Sequence, residues 1–582
     1  MKSEQKHVNL HHQSNKDFMK RPFFLMLMLA LVLHAGAQTE KDHNFEVAKN
    51  LEIFNALYRN LDMMYVDSLN ADHVVGTAID AMLRQLDPYT EYYPENKTSD
   101  LKTLRTGKYS GIGSLIRYHM KRGNAVIDEP YEGTPSVEVG LRKGDVILSI
   151  DDSTMVGKDT RYVSDHLLGD AGTTFMLKFL RPSTGKEMQT KITRRTIQLP
   201  SLPYYGMLNW MMDDGIGMKD IGYINLNSFT EGCAKDVRRA VIDLKNQGMK
   251  ALIFDLRGNG GGSEAEAANI VNLFVRSGVT IASNRGKLKR ANHDYVTTVE
   301  PLDTVMPLVV LVNGSSASAS EITSGALQDL DRAVILGTRT YGKGLVQLPM
   351  DLPYNAQMKL TTSKYYIPSG RCIQAINYKH GDGGYMEHIP DSLTREFRTL
   401  GGRIVRDGGG IMPDVEVKPD SLPNIVYYLS ASGRDSTEVM FDYEVEYIAT
   451  HPTIAPARDF DISDEEFEAF KQRVVESGFT YDPESGKAME DLKKLMEFEG
   501  YYEDAKAEFE ALENKLSHND IARDMDRHKE AIKQVMANDI VAAYYYQSGA
   551  IENALRTDKQ LREACRLLDD QERYRQILSP IK

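Results

Sequence analysis

The sequence has few cysteines, no long apolar run and no excess of basic charge. Three cysteines occur in 582 residues, far apart and without C-x-x-C spacing, so neither a disulfide framework nor a cysteine-based zinc site is expected. The net charge of −13 argues against nucleic acid as a main partner, because phosphate binding needs a basic face. No H-E-x-x-H or equivalent cluster is present, so we expect no metal and no other cofactor.

The N-terminus has the organisation of a secretory signal. Lys20 and Arg21 precede an apolar stretch over residues 23–33, and Ala35-Gly36-Ala37 follows it. Eleven apolar residues are too few to span a bilayer. We therefore predict a signal peptide over residues 1–37, cleaved after Ala37, with translation starting at Met1 or Met19. The mature protein is expected to be periplasmic or secreted, without a stable membrane span.

Hydrophobic periodicity divides the remainder into four regions of a multidomain α/β protein. Residues 38–105 have apolar spacings of three and four, which predicts a helical segment. Residues 106–195 alternate short β-type runs with glycine turns. Residues 196–425 alternate strand-like and helix-like stretches, which indicates a layered α/β domain. Residues 426–582 are charged and amphipathic, and predict an all-helical domain whose surface is available for self-association or an adaptor.

The second region resembles a PDZ domain. "SGIGSLI" from Ser110 is similar to the family's carboxylate-binding loop, and "GLRKGDVILSID" from Gly140 is similar to its helix-to-strand turn. Glycines let backbone amides turn toward an anion, and the next strand offers an edge to an extended peptide. The resemblance implies a peptide ligand with a free C-terminus, bound by the loop Gly111, Ile112 and Gly113.

A serine-rich stretch lies between an apolar strand and a helix, "LVNGSSASASEITSG", and is the main candidate for chemistry. Ser318 and Glu321 fit the S-x-x-E capping box, and a serine at a strand–helix junction is close to helix amides that favour negative charge. The G-x-S-x-G elbow is absent and no histidine lies in a recognisable setting. Lys343, between two glycines, is a base if burial lowers its pKa, and Gln347 could orient its amine.

The same residues resemble the core of the C-terminal processing (tail-specific) peptidases, family S41 serine proteases with a Ser–Lys dyad. In that family the base follows the nucleophile by 25 positions, which selects Ser318 over its neighbouring serines and pairs it with Lys343. Gln347 matches the lysine-orienting glutamine. "DLRGNGGG" resembles the oxyanion-hole loop, with the amides of Gly261 and Ala319 as donors. The resemblance covers roughly residues 50–418 and implies a crotonase- or ClpP-like layered core preceded by the PDZ domain.

Three functions follow as alternatives. The first is a serine-type endopeptidase that cleaves polypeptides near a free C-terminus. The second is a catalytically silent PDZ-containing binding or adaptor protein, since such folds also serve binding. The third is a serine hydrolase of another class, such as an amidase on cell-wall peptides. Labelling by a serine-reactive probe separates the first from the second, because a silent binder would show no labelling that depends on Ser318.

Overall fold

The computed structural model describes residues 43–212, 215–375, 391–431, 433, 435, 437–481, 484–517 and 520–579. The described chain forms two compact units, one ending at Met82 and one beginning at Leu83. The first contains helix α1 (residues 43–64) and most of helix α2 (Ala71–Arg84), where the apolar spacing predicts helices. The predicted signal peptide, residues 1–37, lies outside the described residues.

The second unit opens with strand β1 (Glu91–Tyr93) and helix α3 (Thr98–Thr106). The sequence predicted helices throughout this stretch, and β1 is the exception. It pairs antiparallel with a later strand, Glu91 opposite Lys359. Tyrosine favours the pleated, half-buried surface that such pairing provides, so tertiary contact decides the conformation of these three residues.

A β-rich domain follows. Its elements are β2 (Lys108–Gly111), β3 (Ser114–His119), β4 (Asn124–Pro130), α4 (Pro135–Glu138), β5 (Val146–Ile150), β6 (Ser153–Thr154), α5 (Thr160–Leu167), β7 (Thr174–Arg181), β8 (Lys186–Thr193) and β9 (Arg195–Gln198). Five strands form an antiparallel sheet in the order β3-β4-β5-β7-β8, and β6 pairs with β5. Strands β2 and β9, at the start and the end of this domain, pair with each other and so hold its two ends together.

The layered α/β core is built on a six-stranded sheet of order β10-β11-β12-β15-β16-β21. Its elements are β10 (Tyr204–Met207), β11 (Ile221–Asn225), α6 (Cys233–Asn246), β12 (Ala251–Asp255), α7 (Glu264–Val271), β15 (Leu308–Val312), α8 (Ala319–Asp329), β16 (Val334–Gly337) and β21 (Val415–Glu416). The strands from β11 onward are parallel, and β12 and β15 are buried along their whole length. Continuous apolar strands of this kind are typical of sheets covered on both faces.

A second sheet adjoins the core and includes β1. Its other strands are β13 (Thr280–Gly286), β14 (His293–Val296), β17 (Leu345–Asp351) and β18 (Gln357–Tyr366), and a separate hairpin is formed by β19 (Glu396–Arg398) and β20 (Ile404–Arg406). Strand β18 is central, since β1, β13 and β17 all pair with it. Short 3₁₀ turns lie at Glu95–Lys97, Met120–Arg122, Asn209–Met212, Lys289–Ala291 and Asp391–Leu393.

The C-terminal region is helical, as predicted. It comprises α9 (Asn424–Ser430), α10 (Val439–Thr450), α11 (Asp464–Glu476), α12 (Glu484–Glu499), α13 (Lys506–Ser517), α14 (Ile521–Arg527), α15 (Lys529–Ala554), α16 (Lys559–Asp569) and α17 (Gln571–Leu578). Helices α9 to α11, α14 and α15 share one apolar core that includes Phe467, Phe470 and Ile540. Among the described residues, no helix is both long and apolar enough to cross a bilayer.

The last two helices pack on the layered α/β core. Leu561, Cys565 and Leu568 of α16 lie in one buried cluster with Val309 of β15 and Val334 of β16. Helices α6 to α8 lie on the opposite face of the same sheet, in a separate cluster. The six-stranded sheet is therefore covered by helices on both faces, and α16 and α17 cover one of them.

Candidate active site

Ser318 occupies the junction between β15 and α8. Its backbone has φ 56° and ψ −113°, a conformation that non-glycine residues rarely adopt. Such strain is retained where the surroundings fix it, and it is common at functional sites. The side chain is half-buried at the end of the sheet, beside the first turn of the helix.

The neighbouring serines have structural partners. The Ser316 hydroxyl donates to the Leu256 carbonyl at 2.8 Å, and the Ser320 hydroxyl donates to the Asn259 carbonyl at 2.8 Å. Both side chains are fully buried. They attach the start of α8 to the glycine loop, residues 255–262, so these hydroxyls hold the backbone on either side of Ser318 in place.

Glu321 is a fully buried carboxylate that connects Ser318 to Lys343. It accepts hydrogen bonds from the Ser318 amide (2.9 Å), the Lys343 amide (2.9 Å) and the Gly342 amide (2.7 Å). The Thr340 hydroxyl donates a fourth at 2.6 Å. Burial raises the pKa of this carboxyl to about 7, although each of these hydrogen bonds lowers it. One side chain thus fixes the backbone of both predicted catalytic residues.

Lys343 follows Gly342 and precedes β17. A side chain at Gly342 would overlap Ala375, and its φ of 88° also favours glycine. The Lys343 carbonyl accepts from the Tyr365 hydroxyl at 2.7 Å. Burial, and secondarily the positive charge of Lys359, lower the pKa of the Lys343 amine to about 8. A substantial fraction of the amine is therefore neutral near pH 8, as a general base requires.

Gln347 lies on β17, where its amide donates to the Thr361 hydroxyl of β18 at 3.1 Å. A strand that contained both Lys343 and Gln347, four positions apart, would place their side chains on one face. In the structure Lys343 precedes the strand, and the register shifts between Val346 and Gln347. Strand periodicity therefore does not relate the two side chains, and the role of Gln347 stays a prediction.

The glycine loop lies directly against Ser318. A Cβ on Gly261 would come within 2.8 Å of the Ser318 Cβ and 2.9 Å of the Ala319 nitrogen. The Gly261 amide donates to the Asn259 side chain at 2.9 Å. To donate to an oxyanion, as predicted, it would have to break this hydrogen bond. The Ala319 amide, at the first position of α8, donates to no other described residue. Helix amides at this position favour developing negative charge.

Asp255 and Arg257 support the glycine loop. The Arg257 guanidinium contacts Asp255 at 2.5 Å and Asp558 at 2.6 Å. It also donates to Gln560 at 2.9 Å. Since Gln560 belongs to α16, the end of the chain contributes directly to the loop beside Ser318.

The predicted peptide site is a groove of about 440 Å³ between β3 and α5. Ile112 and Gly113 line it, together with Ile116 and Leu167, while Gly111 ends the preceding strand. Neither the Ile112 nor the Gly113 amide donates to a described residue. Gly113 has φ 78°, and a Cβ there would overlap Thr134, so this position requires glycine. The groove thus presents free amides above an apolar floor.

Tyr89 is a site residue that the sequence analysis did not identify. It precedes β1, and its ring lies under the Lys343 amine, 4.6 Å from nitrogen to ring centroid. The pattern around it, "LDPYTEYY", ends a helix at a proline, and nothing local distinguishes one tyrosine of the three. Only the tertiary pairing of β1 with β18 brings this residue to Lys343.

A serine on a strained strand–helix turn, linked through Glu321 to a half-buried lysine and lying against a glycine loop, is the arrangement of a serine peptidase. Family comparisons agree: residues 220–380 match the peptidase family S41, and residues 112–192 match a PDZ domain. Residues 426–568 match a family described as "Probable PDZ-protease, C-terminal helical domain". These matches fit the predicted fold, a layered protease core with a PDZ domain and a C-terminal helical domain.

Relatives specify the family. The chain is 32% identical over 350 residues to the carboxy-terminal-processing protease of Bartonella bacilliformis, covering 60% of this chain and 77% of that one. It is 31% identical over 322 residues to the chloroplastic C-terminal processing peptidase of Tetradesmus obliquus, covering 54% and 68%. A solved structure, the photosystem II D1 C-terminal processing protease, matches at 25% identity over 64% and 88%, with a TM-score of 0.35. The chain belongs to the carboxy-terminal-processing serine proteases of family S41.

Proposed function

We propose that this peptidase cleaves polypeptides near a free C-terminus with a Ser318–Lys343 dyad. The observation that carries the proposal is Glu321, which binds the backbone amides of both residues. The relatives' names, carboxy-terminal-processing protease and C-terminal processing peptidase, support a substrate of this kind.

The dyad performs acyl transfer. Neutral Lys343 accepts the Ser318 proton as the serine oxygen bonds to a peptide carbonyl carbon. The tetrahedral intermediate then expels the amine, which takes the proton from the Lys343 ammonium. Water, deprotonated by Lys343, then attacks the acyl carbon of the acyl-enzyme. The bond to the Ser318 oxygen breaks, the carboxylic acid product leaves, and Lys343 returns the proton to Ser318. The Ala319 amide stabilises the oxyanion, and the Gly261 amide joins it by leaving Asn259.

The PDZ groove recruits the substrate. A terminal carboxylate binds the Ile112 and Gly113 amides, and the chain extends along β3 as an added strand. The apolar floor of the groove accepts the last side chain. Because the substrate's tail binds at a site separate from Ser318, a free C-terminus improves substrate binding but is not needed for cleavage of the peptide bond itself.

The location we propose is the periplasm or the extracellular space. The N-terminal pattern that ends at Ala37 supports export and cleavage. N-terminal sequencing of the mature protein and cell fractionation test this directly, and a mature protein that retains residues 1–37 in the cytoplasm would contradict it.

The chemical proposal is tested by Ser318→Ala and Lys343→Ala, with cleavage of fluorescein-labelled casein and labelling by a fluorophosphonate as readouts. Both variants should lose at least about 10³-fold in kcat, since a nucleophile or its base is removed. Ser315→Ala is the matched control, because Ser315 is an exposed serine of the preceding turn. Activity retained in Ser318→Ala would overturn the dyad.

The tail requirement is tested with one peptide in two forms, a free carboxylate and a C-terminal amide. The free form should show the lower KM, because only it can bind the loop amides. Equal KM values for the two forms would contradict PDZ recruitment while leaving the dyad intact.

A further inference from the structure

Tyr89 places an aromatic ring against the Lys343 amine. The nitrogen lies 4.6 Å from the ring centroid, within the range of a cation–π interaction. Within the described part of the chain, the amine lies against this ring and forms no ion pair with a carboxylate. The amine of the proposed general base therefore lies against the π face of the Tyr89 ring.

The ring is held there by a short arm, defined as residues 87–93. Asp87 accepts hydrogen bonds from the Tyr89 and Thr90 amides, each at 2.8 Å. Its other oxygen accepts from the Thr90 hydroxyl at 2.8 Å, and that hydroxyl accepts from the Thr361 amide of β18 at 3.2 Å. Thr361 lies opposite Gln347. The arm is therefore anchored to the strand beside the dyad.

Burial, and secondarily Tyr341, raise the pKa of the Tyr89 phenol far above its ordinary value. The phenol is therefore neutral at any pH at which the enzyme works, so Tyr89 competes neither as a base nor as an anion. What it offers Lys343 is the face of a neutral ring.

This ring has a defined use in the reaction. Lys343 must begin neutral and become an ammonium when it takes the Ser318 proton. A carboxylate partner would stabilise that ammonium but would also charge the lysine in the resting enzyme. An aromatic face stabilises the cation less strongly, so it assists the charged transition state while leaving the resting pKa low.

We infer that Tyr89 is a positioning residue for the general base, with its ring face receiving the Lys343 ammonium that forms as Ser318 attacks. The inference rests on the proposed Ser318–Lys343 dyad. It assigns Tyr89 a part in catalysis, whereas β1 on the same arm contributes to the second sheet.

Other groups also set the charge on Lys343. Those with electrostatic influence on it are Lys359 of β18, Glu321 of α8, Glu91 of β1, Asp87 of the arm and, more weakly, Glu264 of α7. Glu91 forms an ion pair with Lys359, so the arm also offsets the strongest neighbouring cation. Because a Tyr89 variant leaves all five groups in place, its effect on the lysine comes from the ring.

The test is the pH profile of Tyr89→Leu and Tyr89→Phe in the full-length enzyme, with fluorescein-labelled casein. In Tyr89→Leu the alkaline plateau of kcat should fall by up to about tenfold, the loss expected for a partly desolvated cation–π contact. Its acidic limb should move by up to about one unit to lower pH, because the ammonium loses a stabilising neighbour. Tyr89→Phe keeps the ring and should match the wild type in both.

Together, the fall in kcat and the shift of the acidic limb distinguish loss of the ring's effect on the ammonium from simple misfolding. A merely structural loss would lower the plateau and leave the limb in place. Tyr89→Met provides a second variant without the ring, in case the leucine packs badly. The pH dependence of fluorophosphonate labelling of Ser318 measures the same acidic limb independently of substrate binding. Tyr92→Leu, on the same arm, is the matched control and should remain within about twofold of wild type.

An unmoved limb in both ring-free variants would overturn the inference, and so would a Tyr89→Phe variant as impaired as Tyr89→Leu. These results leave the dyad intact, because Ser318→Ala and Lys343→Ala would still be inactive. Activity retained in Lys343→Ala would overturn both the dyad and the inference that rests on it.

Discussion

At the scale of single residues, Glu321 has more than the one role its position in the sequence predicts. The S-x-x-E pattern predicts a helix cap, and the carboxylate does bind the Ser318 amide. It also binds Thr340, Gly342 and Lys343, which are distant in sequence. A local pattern can identify the capping partner but cannot show that the loop between β16 and β17, about 20 residues later, uses the same carboxylate.

Glu321 should make stability depend on pH. Its folded-state pKa of about 7 exceeds the ordinary 4.5, so the fold favours the neutral form. The corresponding stabilisation is fully present below about pH 4.5 and is lost as the pH rises through 7, by roughly 3 kcal/mol. The melting temperature of the wild type should therefore fall relative to that of Glu321→Gln between pH 4.5 and 7.5. A parallel pH dependence in the two proteins would contradict this assignment.

Gly261 should be intolerant of any side chain. A Cβ there would lie 2.7 Å from the Ala317 carbonyl, and the φ of 101° adds strain. We expect Gly261→Ala to lower kcat at least about tenfold, since the first turn of α8 must shift at the attacking serine. Gly260→Ala is the matched control, because its Cβ would meet nothing within 4 Å. Equal kcat values in the two variants would show that the close contact is unimportant.

At the scale of elements, the sequence predicts the central part of the site and misses its periphery. The apolar run of β15, the S-x-x-E start of α8 and the glycine loop are local patterns, and each element forms where its pattern lies. The arm carrying Tyr89 and the helices α16 and α17 were not predicted as parts of the core. Their roles depend on pairing with residues more than 200 positions away, which no local pattern encodes.

Helix α16 should therefore matter to the catalytic core as much as to the helical domain. Leu561 is fully buried against the six-stranded sheet. Leu561→Ala should cost about 2–5 kcal/mol and lower the melting temperature of the core by several degrees. Leu495→Ala, on α12 and 52% exposed, is the matched control and should have little effect. A small shift in Leu561→Ala would mean that α16 is dispensable for the core.

At the scale of the whole molecule, the helical domain holds the PDZ domain through one face of α10. Phe441 and Val445 pack on Val126 and Val146 in one buried cluster. Ion pairs surround it: Arg117 with Glu438 at 2.7 Å, Arg122 with Asp442 at 3.1 Å, and Lys143 with Glu444 at 3.1 Å. The position of the groove between β3 and α5 is thereby fixed by a domain outside the catalytic core.

Around Lys143 this interface buries two carboxyls, Glu444 and Asp539, against that one lysine, and Arg117 has only a weaker influence on Asp539. Lys143 lies 3.4 Å from Asp128 as well as beside Glu444, and Asp539 of α15 is close enough to influence both. Burial raises the pKa of Glu444 to about 8, which the positive charge of Lys143 only partly offsets. Raising the pH through 8 therefore adds charge to a site that excludes water, and docking weakens as the carboxyl ionises.

Replacing Lys143 by methionine should make PDZ docking strongly pH-dependent. Without the positive charge of the lysine, the pKa of the docked Glu444 rises further, while the undocked carboxyl still ionises near its ordinary 4.5. Docking therefore weakens steadily as the pH rises, and we expect α10 to lose protection from hydrogen exchange at pH 8.5. At pH 5.5 the carboxyl is neutral and most protection should remain, once intrinsic exchange rates are corrected. Lys178→Met, which removes an exposed ion pair with Glu187 on the PDZ surface, is the matched control. Equal protection of Lys143→Met at both pH values would show that Glu444 does not govern how the PDZ domain is held.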